Sequence, residues 1–534
     1  MATTYRHPGI YIEEVPSARN IQGASTSTAA FVGVTEFGPS AQPTLVTSWN
    51  AYQRQFGGLV WYGMVSWAVF EFFNEGGTAC YVVRAVDSKG NGKAATGSAS
   101  GIKMTAVTPG TWANILNFAV SNASGPDSAV SLVFNLSVVV DPTALKALPA
   151  GSSGATLQAY VAQNNLQPTT IGGKAYYVLE SFNGYTATSM SPGGALANAV
   201  NTTSMFVRVE TSGTTRPPNS GKSATPLAGG AAATWDFESA TNTLSTVQGI
   251  SLLAIPDTVN AADAGGNPNQ ASQATAINGG LLFCEGAKNL FYVSDPPFGL
   301  DVQGIGNFKS GSATSPALNS SYGAIYYPWV WIYNPIAGSN VPMPPSGPSL
   351  GRYAYTDNNV GVWKSPAGVN DGALLSVVQV QTQLTDSDQD ILNPNGINAV
   401  RNFLNYGNVI WGARTLAANG SEWTYVSVRR LFIYVEQSLK QSLQWVVFEP
   451  NDQQTWASVT RDISAFLTTL WQSGGLFGAS AAEAFFVTCD ASNNPPETRS
   501  LGQLYIDVGL APVFPAEFVI IRMTQKIAGP DSGS

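Results

Sequence analysis

The chain holds one histidine, His7, beside Pro8. A Ser-His or Cys-His mechanism, or a His-rich metal site, would have to rest on that single imidazole, so neither is expected. Gly221-Lys222-Ser223 is the nearest approach to a phosphate loop. Such a loop needs a further Gly where Arg216 stands, so that backbone amides can curl around the phosphates, and Pro217-Pro218 removes two of those amides. Gly304-Ile305-Gly306 has the first two glycines of a dinucleotide turn, but Lys309 replaces the third. Asp386-Ser387-Asp388-Gln389-Asp390 spaces its carboxylates as a calcium loop does, yet Ile391 replaces the turn Gly and Ile397 the bidentate Glu, which favours a solvated loop before a helix. Glu13 and Glu14 are adjacent on a predicted strand and face opposite ways, so they are not an acid/base pair. Cys80, Cys284 and Cys489 are far apart, odd in number and set in apolar patterns, as buried free thiols are. No catalytic, cofactor or metal residues are expected.

Composition points to assembly or to a neutral-surfaced enzyme. Charged residues make up 11% of the 534, against roughly a quarter in an ordinary soluble protein. Aromatics are also 11%, with 13 Trp, and neutral surface on this scale tends to be covered by partners. A net charge of −8 argues against nucleic-acid binding, which needs clustered Lys and Arg. The N-terminus lacks the charged start, apolar core and cleavage site of a signal peptide. No apolar run approaches the roughly 18–20 residues needed to span a bilayer. Synthesis and folding in the cytosol, without membrane insertion, are the expectation.

The elements that would position functional residues follow from the hydrophobic pattern. Residues 1–20 read as an arm: Pro8-Gly9 and Pro16-Ser17 bracket an extended run, Ile10, Tyr11, Ile12, Glu13, Glu14 and Val15, too poor in apolar residues to fold alone. Ala29 to Phe37 is a strand pattern, Ser48 caps a short helix through Phe56, Trp61–Phe73 is an amphipathic helix and Cys80–Val86 a strand. From Asp87 to about Gly249 the chain turns rich in Ser, Thr, Gly, Ala and Asn. Its β-type runs at Leu116–Val120, Val130–Val140 and Met205–Glu210, with one helix near Leu157–Asn164, suit an inserted sandwich. From Ile250 strands alternate with helices: Ser251–Ile255, Gln270–Cys284, Leu290–Val293, then a long aromatic strand Tyr322–Tyr333 and a Pro/Gly loop Pro335–Pro348.

Leu392 to Lys526 reads as a compact α/β unit. Trp456, Val459, Ile463, Phe466, Leu467, Leu470 and Trp471 recur at helical spacing and stop at Gly474-Gly475. Leu431, Val435, Leu439 and Leu443 mark a second helix. Ala484, Phe485, Phe486, Val487 and Thr488 read as one strand, and Leu504, Tyr505, Ile506, Asp507 and Val508 as another. Phe518, Val519, Ile520, Ile521, Arg522 and Met523 are apolar on both strand faces except for Arg522, a pattern that demands cover on both sides.

Longer strings carry a family resemblance. Leu392-Asn393-Pro394-Asn395-Gly396-Ile397-Asn398, Val409 to Leu416, Arg429 to Glu436 and Ala511 to Arg522 are similar to the tail-sheath proteins of contractile phage tails, R-type pyocins and phage-tail-like contractile injection systems. So are His7 to Pro16, Ser25 to Gly33, Leu45 to Asn50 and Gly361 to Ala367. The resemblance covers residues 5–87 and 250–526.

It implies a structural subunit forming stacked six-fold rings around an inner tube, assembled metastable and contracting to drive the tube through a target envelope, with no cofactor. Its implied partners are other sheath subunits, the inner tube protein, and baseplate and terminal cap proteins, within a phage tail or released particle. The expected fold is a multidomain α+β or α/β chain. Residues 1–20 are an N-terminal arm, 21–87 with 250–391 a sheath core, 88–249 an inserted outer β-rich domain, 392–515 the α/β domain nearest the tube, and 516–534 a C-terminal arm and tail. Ile10–Val15 and Phe518–Met523 are then strands donated to neighbours, and the strands at Ala484–Thr488 and Leu504–Val508 the receiving sheet. The alternative is a large hydrolase-like enzyme with an α/β core and a β-sandwich, which the missing histidines and glycine motifs disfavour.

Overall fold

A strand apolar on both faces must be covered on both, and Ala29–Gly33, buried at all five positions, nucleates that arrangement. The computed structural model describes residues 20–123, 132–147, 153–262 and 269–522. Ala29–Gly33 pairs in parallel with Cys80–Arg84 on one side and Leu252–Ala254 on the other. The sheet continues in parallel through Phe291–Ser294, Gly323–Tyr327 and Ile397–Phe403, and the antiparallel Thr44–Val46 and Gly407–Ile410 close its two edges. Alternate residues serve opposite faces. Ala29 and Phe31 join a cluster with Tyr52, Phe56, Trp67 and Phe72, while Ala30 and Val32 join one with Phe237, Leu244, Ile277 and Leu281. This core sheet runs past residue 391.

The covering helices start where their caps dictate. Ser48 accepts from the Ala51 amide at the head of Trp49–Phe56. Asp257 accepts from Met64 and Val65 at the head of Met64–Asn74 and from Val34 at a strand end, which ties a helix and a strand to one carboxylate. Met64–Asn74 packs closely on Ser346–Asn359 because the latter presents Gly347 and Gly351: a Cβ on Gly351 would stand 2.8 Å from the Phe72 carbonyl oxygen.

The chain leaves this core at Asp87 and returns at Thr234. Val86–Asp87 pairs with Trp235–Asp236, and the Thr234 amide donates to Asp87 Oδ1 at 3.0 Å. Between them lie a five-stranded and a three-stranded sheet, mostly antiparallel hairpins, with helices at Pro142–Lys146, Ser153–Gln163 and Ala195–Thr203. The apolar interior is continuous with the core: Trp61 packs its ring on Tyr160 and Phe206 at 5.5 and 5.0 Å. Arg208 Nε meets Glu36 Oε1 at 2.6 Å.

Two sequence expectations need correction. Tyr322–Tyr333 is two strands, not one: Gly323–Tyr327 belongs to the large sheet and Val330–Asn334 to a separate three-stranded sheet. Pro328 lies at the break and has no amide to donate to a ladder. Pro335–Pro348 is not all loop. Ser339–Met343 is an edge strand that tolerates Pro342, and a helix begins at Ser346.

The last third adds two amphipathic helices, Val426–Ser442 and Gln453–Gln472. They bury Leu431, Val435, Val459, Ile463, Leu467 and Leu470 against each other. Asp452 caps the second through the Thr455 amide at 3.0 Å.

Candidate subunit-joining site

Phe485–Thr488 and Asp507–Leu510 form an antiparallel two-stranded sheet. Phe485, Val487, Val508 and Leu510 pack on the helical cluster. Phe486 turns the other way, 59% exposed, its ring across Gly509, where a Cβ would stand 2.0 Å from Phe486 Cε1. Among the described residues the two strands have no further ladder partner; only just past them does Leu476 bridge to Pro512. A sheet of two strands is marginal alone and leaves both edges open to another strand.

The second strand lies later than its sequence suggests. Leu504, Tyr505 and Ile506 are not strand because Asn494, fully buried, occupies the backbone of Tyr505 from both sides. Its Oδ1 accepts the Tyr505 amide at 2.7 Å and its Nδ2 donates to the Tyr505 carbonyl at 2.9 Å. Asp507 and Val508 do enter the ladder, opposite Thr488 and Val487. Ala484 ends the short helix Ala481–Ala484 and leads into the other strand.

Beyond Pro512 the chain runs without helix or strand to Arg522. Phe518, Val519, Ile520 and Ile521 are 72–79% exposed. Before them the chain is anchored: Arg414 donates from Nε to Glu517 Oε1 at 3.0 Å and from an Nη to Oε2 at 2.5 Å. Tyr425 Oη reaches the same carboxylate at 3.4 Å, and the Tyr425 ring packs edge-on to Phe514. Arg414 is itself fixed, because Asn398 of the core sheet bonds its amide and carbonyl. Under this segment lies a cleft of about 670 Å³ bordered by Trp363, Lys364, Gln389 and Trp411. Met523 lies outside the described residues.

Ile10, Tyr11, Ile12, Glu13, Glu14 and Val15 also lie outside the described residues, as does His7, but the root of their arm is visible. Ile21 is buried in the helical cluster. The amides of Gln22 and Ala24 donate to Ser442 and Ser438, and Arg430 donates to the Thr26 carbonyl while pairing with the buried Asp357. The two roots therefore sit at opposite ends of one helix, Val426–Ser442. Its 17 residues separate them by roughly 25 Å.

Sequence reasoning missed the anchors Arg414, Tyr425, Phe514 and Glu517. The available signal was a lone Glu placed between Ala516 and an apolar run. The motif-like strings have structural employment. Gly304-Ile305-Gly306 lies inside the helix Val302–Ser310. Asp388 closes a capping box with Thr385, and Asp386 pairs with Arg401 at 2.8 Å. Cys80, Cys284 and Cys489 are buried and free. No helix among the described residues is long and apolar enough to cross a membrane.

Comparison with known proteins agrees with the string resemblance. Residues 307–416 match the phage tail sheath protein central domain and residues 418–526 the phage tail sheath C-terminal domain. The tail sheath protein of Vibrio phage KVP40 is 29% identical over 42% of this chain and 32% of its own. That of Enterobacteria phage T4 is 26% identical over 43% and 35%. The chain spans about a third of the length of these curated relatives. The PVC sheath complex of an extracellular contractile injection system, in its contracted state, shares the fold over 98% of this chain and 99% of its own, with a TM-score of 0.56 and 22% identity. The contracted helical sheath of the anti-feeding prophage does so over 98% and 100%, with a TM-score of 0.55 and 24% identity. These relatives are structural proteins rather than enzymes. Residues 307–416 and 418–526 therefore carry the central and C-terminal domains of contractile tail sheath proteins, and the chain is similar to that family.

Proposed function

We propose that this protein is the repeating subunit of a contractile sheath. Copies stack as six-fold rings around an inner tube, between a baseplate and a terminal cap, in a phage tail or an extracellular injection particle. Contraction then drives the tube through a target envelope. No cofactor takes part, because the energy resides in the metastable lattice. The subunits are joined by strand donation: Ile10–Val15 and Phe518–Met523 each add to the Phe485–Thr488 and Asp507–Leu510 sheet of a neighbour. In this layout the core takes in residues 21–87 and 250–410, because Ile397–Phe403 and Gly407–Ile410 complete its sheet, with 88–249 as the outer insertion and the remainder to 515 as the part nearest the tube.

The observation that carries this reading is one of mismatch. Four consecutive apolar residues, Phe518–Ile521, stand in solvent, in a chain that also carries a two-stranded sheet with no further ladder partner among the described residues. Each would gain on the order of 1.5–3 kcal/mol on burial. A six-residue ladder adds about 0.5–1.5 kcal/mol per hydrogen bond, less the ordering cost. A junction of that size survives while weaker polar contacts between rings are exchanged.

Truncation after Glu517, which keeps the Arg414 pair, tests it. The shortened chain should keep the far-UV circular dichroism and melting temperature of the full chain and fail to form tubes in negative-stain images. Ile520→Asp should do the same, since a charge has no partner on a covered strand. Full-length tubes from the truncated chain would refute strand donation by the C-terminal arm.

A further inference from the structure

We infer that the Arg414–Glu517 pair is a clamp that sets where the C-terminal arm stops belonging to its own subunit and becomes available to a neighbour. The inference rests on the strand-donation reading and adds a positioning pair to it.

Attachment at a single point is what the geometry offers. Among the described residues, the last backbone bond before the arm is from Phe477 to the Ala511 carbonyl, with a bridge at Pro512. From residue 513 to 522, every hydrogen bond to the rest of the described chain runs through the Glu517 carboxylate: two from Arg414 Nε, one from an Arg414 Nη and one from Tyr425. Phe514 on the Tyr425 ring is the accompanying apolar contact. The segment borders the cleft, with Val513 and Pro515 half-buried along it.

The clamp's fixed half belongs to the core. Asn398, on the strand Ile397–Phe403, holds the Arg414 backbone from both sides, and a second Arg414 Nη donates to the Asn393 carbonyl at 3.1 Å. With side chains only 11% and 16% exposed, the pair is shielded from salt. A fork-shaped guanidinium on a carboxylate fixes direction as well as distance. Phe518 follows Glu517 directly, so the clamp sets both the origin and the exit direction of the exposed strand. Loss of the clamp frees five further residues, 513–517, and lets the donor strand slip in register. A one-residue slip turns every side chain to the wrong face.

The test compares full-length wild type, Glu517→Gln, Glu517→Asp and the chain truncated after Glu517. On unassembled subunits, elastase should cut after Ala516 slowly in wild type and several-fold faster in Glu517→Gln, while trypsin cuts after Arg522 equally in both. In sedimentation assays, Glu517→Gln should need a subunit concentration for tube formation higher by about tenfold or more, because a charge-assisted bidentate contact is traded for a neutral one. Glu517→Asp, which keeps the charge, should recover part of that loss. If Glu517→Gln assembles at the wild-type concentration, or leaves cleavage after Ala516 unchanged, while the truncated chain fails to assemble, the clamp is overturned and strand donation stands. If the truncated chain assembles normally, the underlying reading fails instead.

Discussion

At the scale of single residues, several buried carboxyl groups act as internal joints. Asp257 receives three backbone amides and the Asn260 side chain, Asp295 the Ser346 amide, and Glu180 the Met205 amide and the Ser204 hydroxyl. Burial pushes Asp257, Asp295, Glu180 and Glu71 up to about 7, against the downward pull of those hydrogen bonds. The same groups ionise near pH 4 in an unfolded chain. Between the two values the folded state binds more protons than the unfolded state, so the stability these groups contribute is complete below pH 4 and is lost as pH rises through 7. The carboxylates shifted the other way, Asp87, Asp141, Asp388 and Asp490, act below that window. Scanning calorimetry of unassembled protein should therefore give a melting temperature that falls from pH 5.5 to pH 8.5; a rise over that interval would contradict the assignment.

At the scale of elements, close approach and periodicity account for most of the scaffold. Gly351 lets two helices meet, and Gly351→Ala should cost about 1–3 kcal/mol, because its Cβ meets Glu75 Cβ and the Phe72 carbonyl oxygen rather than the flexible end of a side chain. Chemical denaturation would show this as a lower midpoint at unchanged slope; an unchanged midpoint would mean the helices can separate freely. The helices at Val426–Ser442 and Gln453–Gln472 were legible because their apolar residues repeat at helical spacing. The Ser48 cap was legible because capping is local. Tyr322–Tyr333 was misjudged because both of its halves are apolar, and only Pro328 hints that the chain changes sheets. Leu504–Ile506 was misread because the side chain that holds Tyr505 out of the ladder, Asn494, lies eleven positions away. In the candidate site the exposed run Phe518–Ile521 was visible in the sequence. Its anchor was not, since Arg414 and Glu517 are 103 residues apart and meet only in the fold.

At the scale of the whole molecule, one helix bears both arm roots, about two dozen ångströms apart, and a two-stranded sheet with open edges lies on the same helical cluster. Strand donation as proposed would give each copy both a giving and a receiving surface, as a repeating lattice needs. The inserted sheets share the core's apolar interior through Trp61, Tyr160 and Phe206, so they ride with that unit and are not loosely tethered to it. The central claim is that the exposed strand belongs to a neighbour, and a helical reconstruction of the assembled protein by electron cryomicroscopy tests it most directly. The account predicts that density for Phe518–Arg522 adds a strand to the Phe485–Thr488 and Asp507–Leu510 sheet of an adjacent subunit, with Glu517 still on Arg414 of its own chain. Density showing Phe518–Arg522 paired within its own chain, or left unpaired in the assembled tube, would contradict it.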